Sequence, residues 1–222
     1  MPTRNAATSP GDASAAQPAS PDAIRNVVLV GPAGSGKTTL VEALLAATGA
    51  TNRMGSVEEG TTTSDYDEAE IRQQRSVGLS LAPVMVAGTK VNLLDAPGYA
   101  DFVGDLRAGL RAADCALFVV SASQGVDGMT KALWQECQAV GMPRTVVISK
   151  LNHPRADYAT VLASAQAAFG DKVVPLYVPV HHDGSDIDDL AALISQTVCD
   201  YSGGAGGGRT IREPDDDEQL LI

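Results

Sequence analysis

The chain has 222 residues, 44% of them apolar, and a formal net charge of −11. That length suits one ordinary domain with tails, and the apolar share suits a chain that builds a core. Acidity without a Lys/Arg block excludes generic DNA binding, no apolar run approaches membrane-spanning length, and the scattered Cys115, Cys137 and Cys199 argue against a disulfide framework or a spaced metal set.

Residues 1–23 are rich in Ala, Ser and Pro and are expected to be disordered. "NVVLV" (26–30) predicts a buried strand, and "KTTLVEALLAA" (37–47) a helix stopped near Gly49. Residues 50–80 are polar and aperiodic, and a loop of that length in a compact domain usually has a function. "LAPVMVAGTKVNLLD" (81–95) predicts a hairpin turning at Ala87-Gly88. Further on, Asp101 to Ala113 reads as a helix, 114–122 as a strand, Val126 to Val140 as a helix and 143–149 as a strand. Then come a helix from Ala156 to Phe169, a strand over 172–180 and a helix from Ser185 to Thr197. Strands alternating with helices predict a wound α/β sheet over residues 24–200. Residues 201–222 read as a flexible Gly-rich and acidic tail that looks cut short. His181 and His182 before Asp183 are expected to be a solvated loop, and "DIDDL" and "PDDDE" solvated faces, because neither has ion-loop spacing. Trp134, Leu133 and Cys137 share helical spacing and are expected to pack.

"GPAGSGKTT" follows a predicted strand and opens a predicted helix. It comprises Gly31, Pro32, Ala33, Gly34, Ser35, Gly36, Lys37, Thr38 and Thr39. Glycines let the backbone wrap a phosphate, and the amides at the helix start direct positive charge at it. Lys37 is expected to neutralise β/γ-phosphates, and the Thr38 hydroxyl to meet Mg²⁺. "VNLLDAPGYADF" (91–102) supplies the second part. Its strand delivers Asp95 to the same edge, where Mg²⁺ is expected, and Gly98 offers an amide to a γ-phosphate.

Together these segments resemble the G domain of translational GTPases, specifically elongation factor G and its elongation factor G-like paralogues. The resemblance covers residues 24–200, including "MGSVEEGTTTSDYDEAE" (54–70) at the entry to the first switch segment. It implies a P-loop three-layer α/β/α G domain, its sheet mostly parallel with one antiparallel hairpin strand, and C-terminally incomplete. It further implies GTP/GDP and Mg²⁺ as ligands, and the ribosome as a partner whose contacts a fragment could lose. A monomer in the cytoplasm, with no DNA or membrane partner, is expected.

The chain departs from that family at several residues. Ala96 stands where Thr is usual before Pro97 and Gly98. In the first switch, "QRSVGLS" (74–80) makes Ser76 the counterpart of the family's Mg²⁺-binding Thr. Tyr99 stands where elongation factor G has the His that orients the attacking water, which implies weak hydrolysis. Ser149, Lys150, Leu151 and Asn152 stand where Asn-Lys-x-Asp reads guanine. An Asn amide faces a guanine donor with its own donor, at a cost of about 1–3 kcal/mol. Xanthine, or in principle adenine, suits it better. The family's last base-contacting loop lies beyond an inserted subdomain in which this chain is expected to end. Two other readings therefore stay open: a non-hydrolysing remnant or interaction module, and a P-loop protein using another purine nucleotide.

Overall fold

Val28, Leu29 and Val30 have no solvent exposure, and this unbroken apolar run forms the centre of β1 (Ile24–Val30). A strand covered on both faces needs no polar alternation. A computed structural model of the chain describes residues 18, 20–65, 67–180, 187, 189–203 and 209–222, without the side chain of Ala69. The His181–Asp183 segment and most of the N-terminal tail lie outside the described residues.

The other strands of the first sheet are β2 (Ser80–Val86), β3 (Thr89–Asp95), β4 (Cys115–Ser121) and β5 (Arg144–Ser149), in the order β2-β3-β1-β4-β5. β1 runs parallel to β3 and β4, whereas β2 pairs antiparallel with β3 through a turn at Ala87 and Gly88. This is the expected mixed α/β sheet, mostly parallel with one antiparallel pair. The helices are α1 (Lys37–Ala47), α2 (Glu68–Gln73), α3 (Val103–Ala112), α4 (Gly128–Ala139) and α5 (Tyr158–Phe169). A short 3₁₀ turn, Ala100–Phe102, precedes α3. Thus the expected helix at 101–113 begins as a tighter turn, and the polar stretch 50–80 contains one short helix.

Two compact units make up the chain. The first comprises Met1–Val120 and Asp127–Val147. Its core places Val41 and Leu45 of α1 against Leu29, Ala82, Val84, Leu93 and Val119. Side chains alternate along a strand, so Val28 faces the other way, toward Gly109 of α3. Helices therefore cover both faces of β1. Trp134 of α4 meets Phe118 edge-on with ring centroids 5.0 Å apart, the packing role that its spacing predicts.

The second unit comprises Ser121–Val126 and Ile148–Ile222. Here the structure corrects the sequence reading. The helix expected over Ser185–Thr197 is, in its described part, a hairpin of β7 (Asp189–Ala192) and β8 (Thr197–Asp200). The strand expected over 172–180 is confined to β6 (Tyr177–Val180). With β9 (Thr210–Arg212) these form an antiparallel sheet in the order β6-β7-β8-β9. Its short apolar run fits either period, and strand pairing decided it. Ile194, at the hairpin tip, is 82% exposed, where a packed helix would bury it.

The acidic "DIDDL" and "PDDDE" are also corrected, because each contributes one buried carboxylate. The Arg212 guanidinium donates to both oxygens of Glu218 at 2.6 Å and to Asp189 at 2.6 Å. Both partners are buried, and the hydrogen bond to Glu218 first, then that to Asp189, push the arginine further above its ordinary range. Residues 209–222 therefore carry a strand and an ion-pair anchor that glycine and acid content concealed.

Arg212→Ala leaves two buried carboxylates without their cation. The expected loss is about 2–4 kcal/mol, because removing one partner strands the other charge. Urea unfolding measures it, and amide exchange should rise first in β7–β9. An unchanged midpoint would refute this anchoring.

Candidate functional site

The phosphate-loop segment leaves β1 at Val30 and enters α1 at Lys37. Gly36, the N-cap of α1, has φ of 93°, a left-handed conformation that glycine adopts without strain. α4 and α5 cap their first turns with Asp127 and Asp157, but α1 starts with no side-chain cap. Its leading amides remain available to an anion. Lys37 is 6% exposed, and its Nζ donates to the carbonyls of Gly31 at 2.9 Å and Pro32 at 3.1 Å. The ammonium is thereby held over the loop. Burial lowers its pKa, while the charges of Asp95, Asp127 and Asp65 oppose that shift. Ser35 is buried, whereas Gly34 and Thr39 are exposed.

Gly98 lies in the turn that follows β3. The Ala33 amide donates to the Gly98 carbonyl at 3.0 Å. A Cβ added to Gly98 would lie 2.6 Å from the Ala33 nitrogen and 2.7 Å from Lys37 Nζ. Only a glycine allows this approach. Ala96 and Pro97 are buried behind it.

Thr38, Asp95 and Ser76, read from separate segments, meet in the structure. The Thr38 hydroxyl donates to Asp95 Oδ2 at 2.7 Å, and the Ser76 hydroxyl lies 3.2 Å from it. Asp95 is 1% exposed, and its Oδ1 is buried without a hydrogen-bond partner. Burial raises its pKa to about 6, against the opposing effects of the Thr38 hydrogen bond and the Lys37 charge. Magnesium takes oxygen donors, and an ionised carboxylate oxygen lacking a partner has the chemistry to serve it directly or through water. Among the described residues no group of three or more His, Cys, Asp or Glu side chains is set to hold a metal. A cation here would draw on the hydroxyls and on ligand oxygens as well.

Several residues of this site were not singled out from sequence. Glu42 of α1, 1% exposed, accepts from the Gly55 amide at 3.1 Å and the Thr63 amide at 2.6 Å. Glu70 of α2 accepts from the amides of Val77 at 2.9 Å and Gly78 at 3.2 Å. These buried carboxylates hold the 54–78 loop in shape. Asp65 accepts from the Ser76 hydroxyl at 2.6 Å. Arg75 lies over the Tyr99 ring, 5.1 Å from its centroid, and Tyr99 is 37% exposed. A glutamate inside the apolar α1 and acids clustered in a long loop were the available signals.

Ser149, Lys150, Leu151 and Asn152 belong to the second unit. The Ser149 carbonyl ends β5 and accepts from the Ala122 amide at 2.8 Å. Lys150 has φ of 57°, a strained value for a residue with a Cβ, and begins a tight turn closed by His153. Leu151 is half-buried and Asn152 is exposed.

A family model described as the elongation factor Tu GTP binding domain matches residues 22–200. A Mycobacterium tuberculosis protein named elongation factor G-like protein is 61% identical over 206 residues, 93% of this chain and 28% of that protein. Elongation factor G of Chlamydia trachomatis serovar D is 32% identical over 177 residues, 79% of this chain and 25% of that one. A crystal structure of a Thermus thermophilus protein superposes with a TM-score of 0.82 at 41% identity, covering 89% of this chain and 29% of that one. The chain therefore spans little more than a quarter of the length of the curated relatives it matches.

Folding raises the Asp95 pKa from 3.8 to about 6, so the folded state keeps a proton that the unfolded chain releases. The Mg²⁺-free protein should lose stability as pH rises through that window. Asp95→Asn lacks this dependence. Its stability relative to the parent should grow by about 2–3 kcal/mol across the window. Urea unfolding of both proteins at a series of pH values checks this, and parallel pH profiles would refute it.

Proposed function

Because the chain belongs to the family of elongation factor Tu GTP-binding domains, we propose that it binds GTP and GDP with Mg²⁺ and hydrolyses GTP slowly. The coarser part rests on the family: the chain is a translational-GTPase G domain with elongation factor G-like relatives. The observation that carries the finer reading is the union of Lys37, Gly98 and the Thr38–Asp95 pair at one sheet edge. Lys37 balances phosphate charge, and the α1 amides orient the phosphates. The Gly98 amide would donate to a γ-phosphate. Thr38, Asp95 and Ser76 would hold Mg²⁺, which would supply positive charge against the phosphates.

Slow turnover follows from Tyr99. GTP hydrolysis depends on positioning water and stabilising spread charge. A phenol oxygen is a much weaker proton acceptor than the free nitrogen of a neutral imidazole. Arg75 further occupies the ring face, worth about 0.5–1 kcal/mol at an exposed site. A bound γ-phosphate would order residues 60–80, and in a longer protein that change would gate ribosome binding. A cytoplasmic monomer is the form proposed. Among the described residues no helix is long and apolar enough to cross a membrane.

The exposed Asn152 favours one second reading, in which another purine base is preferred. Calorimetric titration with GTP, GDP, xanthosine triphosphate and ATP, each with Mg²⁺, separates the two. Guanine nucleotides should bind, and Lys37→Ala should weaken them by at least about tenfold, the loss of one charge-assisted contact. Xanthosine preference would transfer the base assignment to the Asn152 pattern. No heat from any nucleotide would overturn the binding reading.

Tyr99→His tests the slow step. Single-turnover GTP hydrolysis should rise by about a hundredfold, the low end for a positioned acid–base group. An equal or slower rate would remove Tyr99 as the cause.

A further inference from the structure

Residues 150–156 form the turn that carries Lys150, Leu151 and Asn152. The residues flanking it are both held on Ala122. The Ala122 amide donates to the Ser149 carbonyl at 2.8 Å, and the Asp157 amide donates to the Ala122 carbonyl at 3.0 Å. Between those ends His153 closes the chain. Its amide donates to the Lys150 carbonyl at 3.1 Å, and its carbonyl accepts from the Ala156 amide at 2.8 Å. Its ring adds a further bond, in which Nδ1 accepts from the Arg155 amide at 3.1 Å. Lys150 meanwhile holds φ of 57°, a left-handed value that a residue with a Cβ keeps only when its surroundings fix it. Asn152 is exposed and takes part in none of these bonds, so the direction of its amide follows from the turn.

We propose that His153 is a positioning residue for purine-base recognition, its ring fixing the turn that presents Asn152 to the base. The inference rests on the nucleotide-binding reading and deepens it. A neutral imidazole whose Nδ1 accepts carries its proton on Nε2. One tautomer therefore closes the turn, and the other sets a ring donor against the Arg155 amide. Without the ring bond, Lys150 and the residues after it gain other conformations, and Asn152 meets a base in only a fraction of them. Affinity that depends on base contacts falls with that fraction. Phosphate contacts do not depend on this ring, so discrimination among bases is what His153 controls.

Calorimetric affinities for GDP, xanthosine diphosphate and ADP, each with Mg²⁺, test this on the full chain. The readout is the ratio between the tightest and the weakest of them. His153→Ala should cut that ratio about fivefold, the worth of one neutral hydrogen bond. His153→Asn should restore it, because an Asn carboxamide accepts from the amide two residues on, as Nδ1 does here. A role confined to folding would lower all the affinities alike and leave the ratio at its parent value, which would overturn the proposal. An Asn variant that fails to recover the ratio, or a parent that binds every base equally, would overturn it too. Nitrogen chemical shifts of the His153 ring in the parent serve if the alanine variant does not fold. They should show the proton on Nε2, and a proton on Nδ1 removes the ring bond and the proposal. An unaltered ratio in a folded variant whose parent binds GDP sinks this inference alone. No binding of any of these nucleotides by the parent sinks the nucleotide reading and this one with it.

Discussion

The parallel pairing of β1 with β3 is the constraint on which the site depends. Its register sets Leu29 beside Asp95, so both strands end at one edge of the sheet. From that edge one chain segment wraps back as the phosphate loop and the other turns through Gly98. Ligands of open α/β sheets gather at such carboxyl ends. The antiparallel β2 continues the same edge, since Ser80 pairs with Asp95 and brings the end of the 54–78 loop with it. A slip of one residue in the β1–β3 pairing would separate Thr38 from Asp95, because strand side chains alternate faces.

The loop over that edge is organised by buried carboxylates and not by apolar packing. Glu42 and Glu70 each accept backbone amides, which satisfies donors that an irregular segment would otherwise bury unpaired. Such charge-assisted bonds stay specific where few apolar contacts are available. They also concentrate negative charge near Lys37 and Asp95, and burial raises the pKa of both Asp65 and Asp95.

The second unit solves a different problem with the same means. Its four strands are only three or four residues long, and short antiparallel sheets are marginal alone. Arg212 ties β9, Asp189 of β7 and Glu218 together at the end of that sheet. Planar guanidinium geometry suits this bidentate task in a way that lysine would not.

The sequence by itself determined the α/β architecture, the family, the phosphate loop and the acid strand. Those features depend on contiguous residues: an apolar run, a glycine turn and a lysine one step beyond. Local patterns of this sort are visible because local sterics enforce them. The tertiary structure alone decided that Ser76 meets Thr38, that Glu42, Asp65 and Glu70 hold the loop, and that Arg75 covers Tyr99. It alone decided that residues 189–200 pair as strands where helical spacing was equally available. Thr38 and Ser76 are 38 positions apart and Glu42 and Thr63 are 21 apart, so no short window of sequence contains these contacts. In the shorter-range cases it is pairing and packing in the fold that choose between local patterns. An acid in a loop looks solvated until the fold removes its water.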